Sequence, residues 1–320
     1  MADRKPKYVW KLAMHNQETI RMINILTLYF TQRVMETTNW DMKFVWYGGG
    51  IMGDEKDYIE KMKSGQLQGA GIIGPINEVI CPGISVLELP FLFDNWDEVI
   101  YVRKKMRSRI DKIAEKNKFK VIAMIDVGFE HLYSTKYPLR TPEDFEKSKI
   151  LTWHGSLEVE LLKALGATPV PLSISEIVPS IRAGVVDSCI SPSCWWLTTQ
   201  LYRITKYINP IPIRYDTGLF VVLLKTWNRI PDKYKTAILI IASDVENRLN
   251  NEGRQVCTDA LQGMIDYGCE EVKMTSEEIE LFRIKTKPLW EMVAGRVYSQ
   301  ELLDEVMNHL EMYRAMDWRG

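Results

Sequence analysis

The stretch FKVIAMIDVGFEHLYS, Phe119–Ser134, decides how the chain is read. It is strand-like throughout and too long for one buried strand. It is therefore expected to pass from one domain into another. The same conclusion comes from residues 231–267, which are helical throughout. A helix of that length extends about 55 Å at 1.5 Å per residue, more than the diameter of one domain.

The segments around these two runs alternate. Residues 8–16 read as a strand, 18–38 as a helix, 42–49 as a strand, 54–65 as a helix stopped by glycine, and 67–75 as a short apolar strand. Strand, helix, strand in this order is the pattern of a parallel sheet with crossover helices. It restarts downstream. A strand at 149–155 runs into a helix at 156–165. Further strands follow at 169–173 and 185–191 around a helix at 174–184, and the tail 276–316 reads as two more helices. The expected fold is α/β and two-lobed, with a sheet and flanking helices in each lobe and the long C-terminal helix spanning both. Residues 1–124 with 213–252 form the expected first lobe. Residues 125–212 with 253–320 form the second, with a ligand cleft between them.

The bulk numbers narrow the function. The 320 residues suffice for two domains of ordinary size. Lys plus Arg number 41 and Asp plus Glu 42, a balance that argues against a nucleic-acid binder. No apolar run nears the roughly 20 residues of a membrane span. The five cysteines are too few and too irregular for a disulfide framework, no C-x-x-C marks a zinc site, and the four histidines have no metal-ligand spacing. Most of the cysteines are expected to act as buried, hydrophobe-like thiols. Neither a metal nor a cofactor is expected. The glycine-rich YGGGIMGDEK, 47–56, lacks the spacing of a phosphate loop.

Four motifs in order resemble one family. LELPFLFDNWDEV (87–99), YPLRTPEDFEKSKI (137–150), ALGATPVPLSISEIVPSIRAG (164–184) and the GVVD that closes it at 187 are similar to segments of the DctP-type solute-binding proteins of tripartite ATP-independent periplasmic (TRAP) transporters. The resemblance runs over nearly the whole chain. It implies a hinged two-lobed receptor, a monomer, that closes on a small molecule and delivers it to membrane subunits. It also implies a periplasmic location, with the export signal removed. A receptor that presents its ligand to a sensor or partner protein is the alternative.

The resemblance also points to residues. Relatives carry an arginine that forks onto the ligand carboxylate at the position of Leu151, and a second at the position of Glu130. An Asn that contacts ligand falls in the stretch that reads here Cys189, Ile190, Ser191. With both guanidinium groups replaced, an apolar, aromatic, uncharged or cationic ligand is expected rather than a typical carboxylate. Strand ends and their loops should line the site. This adds Trp153, His154 and Ile174, one of Trp195 and Trp196, Tyr215, Asp216, and His15 with Asn16 at the mouth. Arg214 is the nearest candidate to pair an acid there. A cleft enzyme using Cys189 and His154 lacks a third, orienting residue and any hydrolase elbow, so binding without catalysis is expected.

Overall fold

The computed structural model describes residues 5–15, 21–152 and 156–317. Phe119–Ser134 is one unbroken strand, β4, with the bounds read from the sequence. The other strands are β1 (Tyr8–Ala13), β2 (Met42–Tyr47), β3 (Gly69–Ile73), β5 (Lys149–Thr152), β6 (Thr168–Pro171), β7 (Ser188–Pro192), β8 (Tyr207–Leu223) and β9 (Glu270–Glu271). The principal helices are α1 (Glu55–Ser64), α2 (Trp96–Lys116), α3 (Ser156–Ala164), α4 (Ile174–Arg182), α5 (Ser193–Thr198), α6 (Asp232–Tyr267), α7 (Ser276–Thr286), α8 (Pro288–Val293) and α9 (Gln300–Asp317). None of the described helices is long and apolar enough to cross a membrane.

The chain divides into two compact units. The first contains Met1–Ile80, Asp111–Asp126 and Thr217–Arg254; the second contains Cys81–Ile110, Val127–Asp216 and Gln255–Gly320. Strands β4 and β8 and helices α2 and α6 each begin in one unit and end in the other. Residues 81–110, assigned from sequence to the first lobe, belong to the second. The boundary at 110 falls inside the continuous helix α2, where no change of composition marks it.

In the first unit, β1 pairs in parallel with β2 and β3, and β3 runs antiparallel to the end of β8. Trp10, Phe30, Phe44, Phe220, Trp227 and Ile238 anchor its apolar core. Where one helix was expected over 18–38, the chain forms Arg21–Asn24, a π-helical Ile25–Phe30 and Thr31–Thr37. Helix α6 lies on this unit through a polar stripe at four-residue spacing, one face of a helix. Glu246 accepts from Met124 N at 3.0 Å. Asn250 accepts from Asp126 N at 2.8 Å and donates to Met124 O at 3.2 Å. Arg254 Nε donates to Asp126 Oδ2 at 2.9 Å.

In the second unit, β4 runs antiparallel to β7, and β5 pairs in parallel with β7 and β6. The resembling motifs turn out to be fold-determining. Thr141 and Asp144 form a capping box on the turn Pro142–Phe145, and Ser173 and Glu176 form another on α4. Asp187 accepts from Ser188 Oγ at 2.9 Å and from Lys149 N at 3.2 Å, and it also binds Ser148 Oγ, tying β5 to β7. In LPFLF, Phe91 N donates to Ile213 O at 2.7 Å, and Trp290 Nε1 donates to Pro90 O at 3.1 Å. The tail has three helices rather than the two expected, because Pro288 starts a new turn directly after α7.

Candidate functional site

Glu130 and Arg214 stand on neighbouring strands, β4 and β8, a few residues inside the second unit. Each is 2% exposed, and Arg214 Nε donates to Glu130 Oε2 in a short ion pair. Two more acids belong to the group. Asp216 is fully buried. Glu158, on α3, is 4% exposed and accepts from Thr152 Oγ1 at 2.7 Å. Burial pushes the Glu130 carboxyl up, Arg214 pulls it down, Glu158 pushes it up again, and the balance is upward. Burial disfavours the Arg214 charge, but Glu130, Glu158 and Asp216 outweigh it and keep the guanidinium cationic. The described charges here are thus three carboxylates around one guanidinium. From the sequence, Arg214 is the candidate arginine for Glu130 or Asp216, and the structure pairs it with Glu130. The sequence reading missed Glu158 and Thr152, whose only sequence signal is the placement of a strand end before a helix.

The other expected residues separate into core, candidates and residues outside the described set. Leu151 is 1% exposed and sits in an apolar cluster with Tyr133, Ile177, Cys189 and Trp196. It is a core residue, not an open apolar wall. Trp196 is also core: its ring stacks on Tyr133 at 4.7 Å and 16°, and its Nε1 donates to Thr205 Oγ1 at 2.8 Å. Trp195 is half-buried beside it. Ser191 is buried on β7 opposite His131. Tyr215 is 1% exposed and contacts Phe93, Trp96 and Phe129 edge-on at 6.0, 6.1 and 6.2 Å. His15 lies in the first unit, 3.3 Å from where a Cβ on Gly50 would sit, and burial lowers its pKa against the pull of Asp54. Asn16, Trp153 and His154 lie outside the described residues, as does the side chain of Ile174. Cys189 is fully buried, and burial pushes its thiol well above the usual range. That is the opposite of what a thiolate nucleophile needs.

Two surface cavities of about 370 and 260 Å³ open in the first unit, around Lys7, Tyr8 and Lys225, and around Asp41 and Tyr234. None of the expected site residues lines either one.

His131 supplies a pH test of how tightly this region is built. Its Nδ1 lies 3.1 Å from Ile211 O, and burial pushes its pKa down to about 4. In the unfolded chain a histidine protonates near 6.5. Between these values the unfolded state binds more protons, so stability falls as pH drops from about 6.5 to 4, by at most about 1.4 kcal/mol per pH unit. His131→Gln is expected to flatten that part of the profile in urea denaturation at pH 7, 6 and 5. Parallel profiles for the two proteins would show a solvated imidazole.

Comparison with known proteins agrees with the fold. The profile of bacterial extracellular solute-binding protein family 7, DctP, matches residues 14–296. A solute-binding protein of Chromohalobacter salexigens is 26% identical over 82% of this chain and 78% of its own length. An ectoine-binding periplasmic protein of Halomonas elongata is 25% identical over 72% of this chain and 63% of its own. The crystal structure of a sugar acid binding protein from Advenella mimigardefordensis, in complex with galactonate, superposes with a TM-score of 0.88 at 19% identity, covering 97% of this chain and 99% of that one. A largely hydrophobic ligand, expected from the missing arginines, loses its support. Leu151 and Trp196 are core, and the ligands named for these relatives are polar. The family consists of receptors and not of enzymes. The chain belongs to bacterial extracellular solute-binding protein family 7, whose members bind small molecules and work with the membrane subunits of TRAP transporters.

Proposed function

We propose that this chain is the periplasmic receptor of a TRAP uptake system for a small polar solute that carries a cationic centre as well as a carboxylate. The buried Glu130–Arg214 pair carries this reading. In relatives built around paired arginines, a carboxylate meets unopposed positive charge. Here the guanidinium already faces Glu130, with Glu158 and Asp216 close by. A plain acid would gain little from Arg214 and would be repelled by the carboxylates. A ligand with both charges can use the guanidinium and one of the acids together. Ectoine, bound by the Halomonas relative, has a carboxylate and an amidinium.

A second reading follows from the raised pKa of Glu130. With Glu130 protonated, Arg214 would be released to a sugar acid such as the galactonate of the Advenella complex. Thermal shift separates the two. Ectoine, ammonium carboxylates, galactonate, glucuronate and succinate are compared at pH 7.5 and 5.5. A ligand at 100 times its Kd stabilises the folded state by about 2.7 kcal/mol. Compounds with both charges are expected to raise the melting temperature at pH 7.5. Sugar acids are expected to do so less, and more at pH 5.5 than at 7.5. Equal stabilisation by sugar acids at pH 7.5 would remove the need for a cationic centre.

A further inference from the structure

Two of the five cysteines meet in the second unit. Cys194, on α5, and Cys257, on α6, both donate to the carbonyl oxygen of Val127, at 3.7 and 3.4 Å. The two thiols also act directly on each other: Cys257 pushes the Cys194 thiol up and Cys194 pulls the Cys257 thiol down. Ser193 Oγ donates to Cys257 O, so the start of α5 is fixed against the same turn of α6. The approach needs a glycine in β4. Gly128 has φ +148°, and a Cβ there would lie 3.3 Å from the Pro192 side chain and 3.4 Å from Cys257 Sγ. The remaining thiols stand elsewhere: Cys81 donates to Ile110 O, Cys189 to Ile190 O and Cys269 to Tyr202 O.

We infer that Cys194 and Cys257 form an intramolecular disulfide that fastens α5 to α6 when the protein reaches an oxidising compartment. The family is extracytoplasmic, and adjacent thiols outside the cytosol are not held reduced by glutathione and thioredoxin. The chemistry is thiol–disulfide exchange with a disulfide oxidant, either oxidised glutathione or the active-site disulfide of a thiol oxidase. Cys194 is the more open of the two, and Cys257 is 7% exposed. Cys194 therefore attacks one sulfur of the oxidant as the thiolate and forms a mixed disulfide, expelling the first thiolate. Cys257 then attacks the Cys194 sulfur, forms the Cys194–Cys257 bond and expels the second. The Cys257 thiol and burial hold Cys194 above the usual thiol range, so its exposure and not its acidity makes it the attacking sulfur. Two electrons pass to the oxidant, and the two thiol protons end on its leaving sulfurs.

The whole chain is equilibrated with oxidised glutathione, alkylated under denaturing conditions and digested. Of five cysteines, two are expected to resist alkylation, with one linked peptide pair carrying Cys194 and Cys257 and a mass loss of about 2 Da. Dithiothreitol should restore all alkylation sites and lower the melting temperature, because a long closed loop constrains the unfolded chain. Cys194→Ser should leave no linked peptide and no effect of dithiothreitol on melting. Full alkylation of the oxidised wild-type chain, or linkage through any other pair, overturns the assignment. The wild-type peptide map decides this even if a variant folds poorly.

Discussion

Replacing Arg214 by methionine is expected to destabilise the protein by about 3–5 kcal/mol, the range for removing one partner of a buried ion pair. The reason is the carboxylate left behind. Glu130 is 2% exposed, and without the guanidinium nothing offsets the cost of holding its charge out of water. It escapes by protonating, so its folded-state pKa rises further above the ordinary carboxylate value. A carboxyl raised in the folded state favours folding at low pH and loses that contribution as pH rises through the folded value. The defect of Arg214→Met should therefore be smallest near pH 5 and grow towards pH 8. Glu130→Gln should cost less, because Arg214 keeps Glu158 and Asp216 as counter-charges. Changing both residues, to Glu130→Met with Arg214→Met, should recover much of the loss. Urea denaturation of the wild type, the single and the double variants measures the coupling. Small, equal costs for the single variants, independent of pH, would mean that the pair is solvated.

What the sequence made legible was local. Strand β4 and helix α6 were read with nearly their final bounds because each is a long run of one period. The helix starting at Ile174 was placed from the sequence, whereas the short turn Pro142–Phe145, capped by Thr141 and Asp144, was not. Helix α2 was missed although its signal is of the same kind: Asn95 Oδ1 accepts from Glu98 N at 3.0 Å, and Glu98 Oε2 accepts from Asp94 N at 2.8 Å. That signal lies inside the LPFLFDNWDEV segment and spans only residues 94–98, with no apolar period before it. The ion pair was legible only as a choice, Arg214 with either Glu130 or Asp216. Its members are 84 residues apart, and they meet only because β8 lies beside β4 in one register, which no local pattern encodes. Position 151 shows the converse. Its alignment to a ligand arginine was readable, but the side chain alternates to the apolar face of β5, among Tyr133 and Ile177. Alternation along a four-residue strand cannot be phased without its neighbours.

The adjacent tryptophans are expected to divide sharply. Trp196→Ala should cost about 3–5 kcal/mol, as for other large aromatic deletions from a core. It removes a side chain 1% exposed, the 4.7 Å stacking on Tyr133, and the donor to Thr205 Oγ1. Thr205 Oγ1 still donates to Leu201 O at 2.9 Å, so the hydrogen-bond share is small and packing makes up most of the loss. Trp196→Phe should therefore keep most of the stability, since the ring can still stack. Trp195→Ala should cost less than about 2 kcal/mol, because only part of its surface leaves water on folding. Helix α5 explains the division. Successive residues of a helix point about 100° apart, so one indole can enter the core only if the other turns away from its centre. Urea midpoints for the three variants test this directly, and calorimetric titration of Trp195→Ala with ectoine tests whether the half-buried ring touches solute. Equal destabilisation by Trp195→Ala and Trp196→Ala would make both rings core and leave the second unit without an aromatic contact from α5. A stable Trp195→Ala that no longer binds would instead place that ring at the solute, beside the charges of Glu130 and Arg214.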